Sequence, residues 1–394
     1  MSEFNPFSSE WCNQESIGNP GGIVPCYMRL VMKIIRMFSY LLLASIVAVE
    51  AVLTTSSSRH AIPKRDWFLK TSLSFSYRSG VTNHFSISKM NQTRVTEFLL
   101  LGFGNLHRFR IVVFILFLII FLFTVMGNLL IILLVSTNVR LQSPMYYFLC
   151  HLSISDIVVS TNIVPNMLGA VLYGAKQISY VGCLTQLYFY GSTIDAECFL
   201  LSVMSYDRYL AICNPLRYSS IMDFKCQVFL SLWPWLTCFT LSLFAVIPMS
   251  DFYFCRDNII DSFYCELLPV QQLSCSDTSF LDLEAVVLSV PIFIMPCGLI
   301  TVTYVYIFRT IIRIPSTTGK QKTFSTCSSH LFVVMIFYGT LISKYMIPSK
   351  GASLLTNKIA SLLHTVFTPL FNPIIYSLRN RDIKMALQKV FGIL

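Results

Sequence analysis

Charge is what this sequence has least of. Only 12% of its 394 residues are Asp, Glu, Lys or Arg, against the ~25% usual in soluble domains. A water-soluble globule of this length needs far more polar surface, so that class is excluded. Gly and Pro are sparse, at 16 each, which excludes collagen-like and low-complexity chains. The 13 cysteines form no CxxC pair, and no HExxH run accompanies the scattered His151, His330 and His364, so a zinc module or metalloenzyme has no support. No internal repeat is present, which removes the two-half signature of transporters.

Apolar residues fill that gap. They make up 55% of the chain, with 32 Phe, too many for a disordered chain. The composition is that of an integral membrane protein. The net charge of +10 is dispersed between apolar runs rather than gathered in one patch, so nucleic acid is not an expected partner.

A helix crossing the hydrocarbon needs about 20 largely apolar residues. Seven runs qualify, at about 111–135, 145–168, 183–213, 228–249, 285–312, 324–346 and 358–378. Their length and the lipid's intolerance of unpaired backbone groups make them helices. The expected fold class is an all-α membrane protein, a seven-helix bundle. A loop from Ser250 to Glu284 is the one long connection. From Leu378 to Leu394, Ile383, Leu387 and Val390 fall at helical spacing, with Arg381, Lys384 and Lys389 elsewhere, which predicts a short amphipathic C-terminal helix on the lipid surface.

Loop charge sets the orientation. If the N-terminus lies outside, the inner connections and tail hold Arg140, Arg217, Lys225, Arg309, Arg313, Lys320, Lys322, Arg379, Arg381, Lys384 and Lys389. The outer loops then hold Lys176, Arg256, Lys344, Lys350 and Lys358, and the long loop is acidic. The positive-inside rule prefers this arrangement, with the C-terminus cytoplasmic.

Residues 1–89 differ in character. Met32 to Leu53 has a basic start and an apolar stretch, like a signal segment. Thr54 to Lys89 is Ser-rich and basic, with the composition of disorder. The working form is expected to span 90–394. The alternative is a long extracellular arm.

Several residues carry chemistry. Asn91-Gln92-Thr93 is a glycosylation sequon on the outer side. Cys183, Cys255, Cys265 and Cys275 lie where an oxidising exterior meets them, and spacing allows three pairings. Asp156 and Glu197 are ionisable groups inside spans, a costly placement that marks function. They would hold a cation such as Na⁺ or share a proton, or else serve as a neutral network tying helices together. Asp207-Arg208-Tyr209 closes the third span. Pro369, Asn372, Pro373 and Tyr376 make the seventh deformable, since proline removes a backbone donor.

Taken in order, these motifs resemble a known family. They are Gly127-Asn128, Pro144 to Leu149 (PMYYFL), Leu152-Ser153-x-x-Asp156, Met204 to Cys213 (MSYDRYLAIC), Lys322 to Leu331 (KTFSTCSSHL), Phe337-Tyr338-Gly339 and Pro369 to Asn380 (PLFNPIIYSLRN). The chain from Met90 onward resembles the vertebrate olfactory receptors, which are rhodopsin-like G-protein-coupled receptors and not enzymes. The resemblance implies a plasma-membrane protein with disulfides Cys183–Cys265 and Cys255–Cys275. It implies a small volatile ligand in the outer half of the bundle. It also implies coupling of Asp207, Arg208 and Tyr209 to the olfactory stimulatory G protein, with cAMP as output.

Helical spacing then nominates Tyr190, Gly191, Ile194 and Asp195 on the third span. It nominates Tyr338, Leu341, Ile342 and Tyr345 on the sixth. Such a site is mainly apolar with a few orienting polar groups. Asp195 departs from the family pattern. It either favours an amine or polar ligand or is a carboxyl bonded to a neighbouring helix. No cofactor is expected beyond the sodium ion.

Overall fold

The computed structural model describes residues 95–104, 107–254, 258–346 and 354–390. The sequon at Asn91, the signal-like segment 32–53 and the whole expectation for 1–89 lie outside the described residues, as does Cys255.

Among the described residues, seven long helices carry the fold. They are α1 (Arg110–Thr137), α2 (Pro144–Tyr173), α3 (Tyr180–Cys213), α4 (Phe224–Met249), α5 (Ser279–Arg313), α6 (Thr317–Met346) and α7 (Leu354–Leu362, then Leu363–Phe367 and Thr368–Arg379). Six of them are long and apolar enough to cross a membrane. The exception is α3, a 34-residue helix diluted by Asp195, Glu197, Asp207 and Arg208. Its polar groups turn inward: Glu197 and Asp207 are buried, as are Ser192, Thr193, Ser202 and Ser205. Helix α3 packs against α2, α4, the second half of α5 and α6, while α1 lies against α2 and α7.

Local chemistry sets the helix ends. Pro144 and Pro215 open helices at their first turn, where a missing N–H costs nothing. Ser179 and Asp223 cap α3 and α4 by accepting from Gly182 and Cys226 amides. Gly174 ends α2 at φ +87°, a conformation that glycine adopts without strain. The helices overrun the apolar runs. Helix α6 begins at Thr317, seven residues before Phe324, because hydropathy reports the thickness of hydrocarbon and not the length of the helix.

The chain divides into two compact units, and Ser279–Pro291 belongs to the first. That stretch is helical, and Ser289 donates to the Val286 carbonyl. Asp282 and Glu284 therefore lie in a helix, not in the loop to which the charge count gave them.

A small cap, absent from the all-α expectation, sits in the second unit. Strands β1 (Glu97–Leu100), β2 (Lys176–Ser179) and β3 (Ile259–Ile260) form a sheet of order β2-β1-β3. Strand β1 runs antiparallel to β2, with Phe98 opposite Ile178, and parallel to β3, with Leu99 opposite Ile259. Cys183 is disulfide-bonded to Cys265, with Cα atoms 5.5 Å apart. Cys275 is also disulfide-bonded. The Cys265 amide donates to Gln186 Oε1 at 2.9 Å, and Gln186 is clasped to Asn162 of α2 by reciprocal 2.8 Å bonds. The long loop is thus stitched to α3 beside its disulfide. Helix α8 (Arg381–Val390) packs on α7 and α1. Tyr146 donates to Asn380 and Asp382 at its start.

Candidate functional site

At the α8 end of the bundle, Arg208 donates through Nε to Asp207 Oδ2 at 3.1 Å and through a second guanidinium nitrogen. Asp207 is fully buried, so its charge needs partners. Tyr218, on the short helix Pro215–Ile221, supplies another by donating to Asp207 Oδ1 at 2.7 Å. Burial first, and then the Asp207 charge, push the Tyr218 phenol well above its usual range. Arg208 is thereby held by its own neighbour. Around it, Ser205 bonds Thr303 of α5 at 3.2 Å. Tyr304 of α5 bonds His330 of α6 at 2.8 Å. His330 and His364, which bonds Thr340, are buried hydrogen-bonded groups joining helices.

The middle of the bundle shows why Gly127-Asn128 sits opposite two prolines. Pro373 has no N–H, so the Pro369 carbonyl loses its helical donor. Asn128 Nδ2 donates to that carbonyl at 3.1 Å. Gly127 lets α1 come this close: a Cβ there would meet Pro373 at 3.2 Å. Asn372 Nδ2 donates to both oxygens of Asp156, at 2.9 and 3.1 Å. Glu197 lies within electrostatic reach of Asp156. Among the described residues, Glu197 Oε1, Asn128 Oδ1, Asn372 Oδ1 and the Tyr376 hydroxyl are buried without a hydrogen-bond partner. No cluster of three or more His, Cys, Asp or Glu able to hold a metal occurs among the described residues.

At the cap end, the nominated residues separate. Tyr190 is buried and meets Tyr264 edge-on at 5.0 Å. Ile194 is buried too, and so are Tyr338 and Leu341. Gly191 faces α4, where a Cβ would lie 4.0 Å from Ser242 Oγ, and Asp195 acts electrostatically on Cys238 of α4. Four positions at i, i+1, i+4 and i+5 sweep a wide arc at 3.6 residues per turn, so they do not share one surface. Ile342 is a correction: it is 52% exposed and points away from the bundle, one residue past the inward Leu341. The Tyr345 side chain lies outside the described residues.

Sequence reasoning missed the strongest polar cluster at this end. Lys344, counted among outer-loop charges, lies in α6. Its ammonium donates to Tyr190 at 3.0 Å and to Tyr264 at 2.6 Å, and it lies 3.5 Å from Glu266. Glu266 Oε1 accepts from Ser262 and from Ser361 of α7. A lone cation inside the sixth apolar run was the signal for it. Lys358, also counted as a loop charge, lies in α7 and reaches the Gly102 carbonyl and Asp261. A groove of about 490 Å³, lined by Phe224, Val228, Leu232, Trp233 and neighbours of α4, shares no residue with these clusters.

This arrangement, with a polar α3 packed against α2, α4, the second half of α5 and α6 and a loop pinned to it by a disulfide, is the fold of rhodopsin-like receptors. The chain resembles the crystal structure of squid rhodopsin with a TM-score of 0.59 at 15% identity, over 72% of this chain and 85% of that one. A family model described as olfactory receptor matches residues 117–393. The chain belongs to the olfactory receptor family. It is 44% identical over 300 residues to human olfactory receptor 11L1, covering 76% of this chain and 93% of that relative. It is 43% identical to human olfactory receptor 10A7, over 76% and 95%, and 43% identical to rat olfactory receptor 1f45, over 78% and 98%. It is a multi-pass membrane receptor of that family, not an enzyme.

Proposed function

We propose that the receptor binds a small volatile odorant between α3 and α6 beneath the long loop, and passes the event to a heterotrimeric G protein at Arg208. The observation that carries this reading is the length of α3. One helix bears Tyr190 at the cap end and the Asp207–Arg208 pair, locked by Tyr218, at the other. The ligand must bind one bundle arrangement better than the other, or nothing shifts. Contact near Tyr338 tilts the Arg208 end of α6 outward along the Pro-relaxed flank of α7, at Asn372, Pro373 and Tyr376. Arg208 then leaves Asp207 for the partner, with Tyr209 beside it.

The partner in this reading is the stimulatory olfactory G protein, and the output is cAMP. The N-terminus lies outside the plasma membrane and the C-terminus in the cytoplasm, as loop charge favours. Asn91 is glycosylated there, and Cys255 pairs with Cys275. Helix α8 rests on anionic lipid. Asp156 and Glu197 would hold a Na⁺ ion: the donors are all oxygen, as a hard cation requires, and unpartnered oxygens stand on Glu197, Asn128 and Asn372. Asp195 serves the α3–α4 contact, so Asp195→Asn leaves the ligand profile unchanged.

Arg208→Ala tests the reading. In cells expressing the full chain, odorant-evoked cAMP is lost while surface labelling persists; a normal cAMP response would remove Arg208 from the mechanism.

A further inference from the structure

Resting on the odorant-receptor reading and deepening it, we infer that Lys344 is the polar anchor of the ligand site and that it selects straight-chain carboxylic acids. Three observations carry this. First, the Lys344 side chain is only 7% exposed, and a buried cation persists only where oxygens face it. It also lies over the rings of Tyr190 and Tyr264, at 4.9 and 5.2 Å. The ammonium is thus aimed at the aromatic pair where the loop meets α3.

Second, its ion pair is exchangeable. The Glu266 carboxylate stands at 3.5 Å, beyond the 2.7–2.9 Å typical of a strong charge-assisted bond. Its other oxygen is engaged by Ser262 and Ser361, at 3.2 and 2.9 Å. A ligand carboxylate can compete with Glu266 Oε2 for Lys344, while Glu266 Oε1 keeps its two hydroxyl donors.

Third, the neighbourhood matches an alkyl chain. Helices α3 and α6 are packed together, with Tyr338 within electrostatic reach of Cys198 of α3 and Lys344 bonded to Tyr190. Tyr338 and Lys344 are about 9 Å apart along the helix axis. On the facing helices between these contacts lie Ile194 and Leu341, both 4% exposed. One end is cationic and the stretch between is apolar.

The test uses the full-length receptor and the straight-chain acids from butanoic to decanoic, with 1-octanol and octylamine as neutral and cationic counterparts. Binding is read as protection of the detergent-purified receptor against heat, and signalling as cAMP. The expected result is protection by one or more acids and none by octylamine. In Lys344→Met the acid concentration for half-effect rises roughly tenfold or more. Lys344→Arg retains most of the response. Glu266→Gln moves the other way, towards lower acid concentrations, because it removes the competitor. Acid protection without cAMP supports the anchor and fails the coupling reading alone. Response to neutral odorants but to no acid overturns the anchor and leaves the receptor reading standing. Equal loss of every response in Lys344→Met and Glu266→Gln, with normal surface labelling, makes the cluster a structural clasp and overturns the inference.

Discussion

Helices α1 and α3 are opposites. The most apolar stretch of α1 has a mean hydropathy of 2.9 yet is only 28% buried within the protein. Helix α3 carries too many charged residues to stand out as a membrane span and is buried along most of its length. In water the greasiest helix would be the core. In lipid the solvent itself is apolar, so burial no longer follows hydrophobicity. Here the interior is where polar groups can find partners, and the lipid-facing surface is where Phe123, Met126 and Leu133 reside.

Matched truncations test that contrast. The largest effect is expected at Leu200 of α3, which is fully buried. Leu200→Ala costs about 2–5 kcal/mol, read as a lower melting temperature of the purified receptor and reduced surface expression. Next comes the one place where α1 behaves like α3. Asn128→Leu strands the Pro369 carbonyl and costs about 1–3 kcal/mol, measured the same way. Leu133→Ala on the lipid face of α1, where the side chain is 58% exposed, shifts stability by no more than about 0.5 kcal/mol. A Leu133→Ala loss as large as that of Leu200→Ala would break the comparison.

The same contrast explains what the sequence made legible. Six spans announce themselves by apolar length, and the seventh, α3, is recoverable because its charges interrupt a run bounded by Cys183 and Cys213. The π-helical turns at Val290–Ile294 and Leu363–Phe367 leave no mark on hydropathy, since both are as apolar as their surroundings. The cap sheet is equally silent. Its strands have two to four residues, too few for an alternating pattern to stand out. At the site, Tyr190, Ile194, Tyr338 and Leu341 turn inward as helical spacing suggests. Ile342 does not, because neighbouring positions on a helix diverge by about 100°, while Gly191 and Asp195 face α4. Lys344 is hidden for a different reason: a charge near a helix end reads as a loop charge, and its position in sequence does not reveal the tyrosines and Glu266 that it meets.

The cap has a consequence for biogenesis. Strand β1 precedes α1, but its parallel neighbour β3 follows α4. The ribosome must therefore release four hydrophobic segments before that edge can be closed. Until then the nascent polypeptide carries an incomplete ribbon with open hydrogen-bonding groups, the kind of surface that chaperones grip and that aggregation exploits.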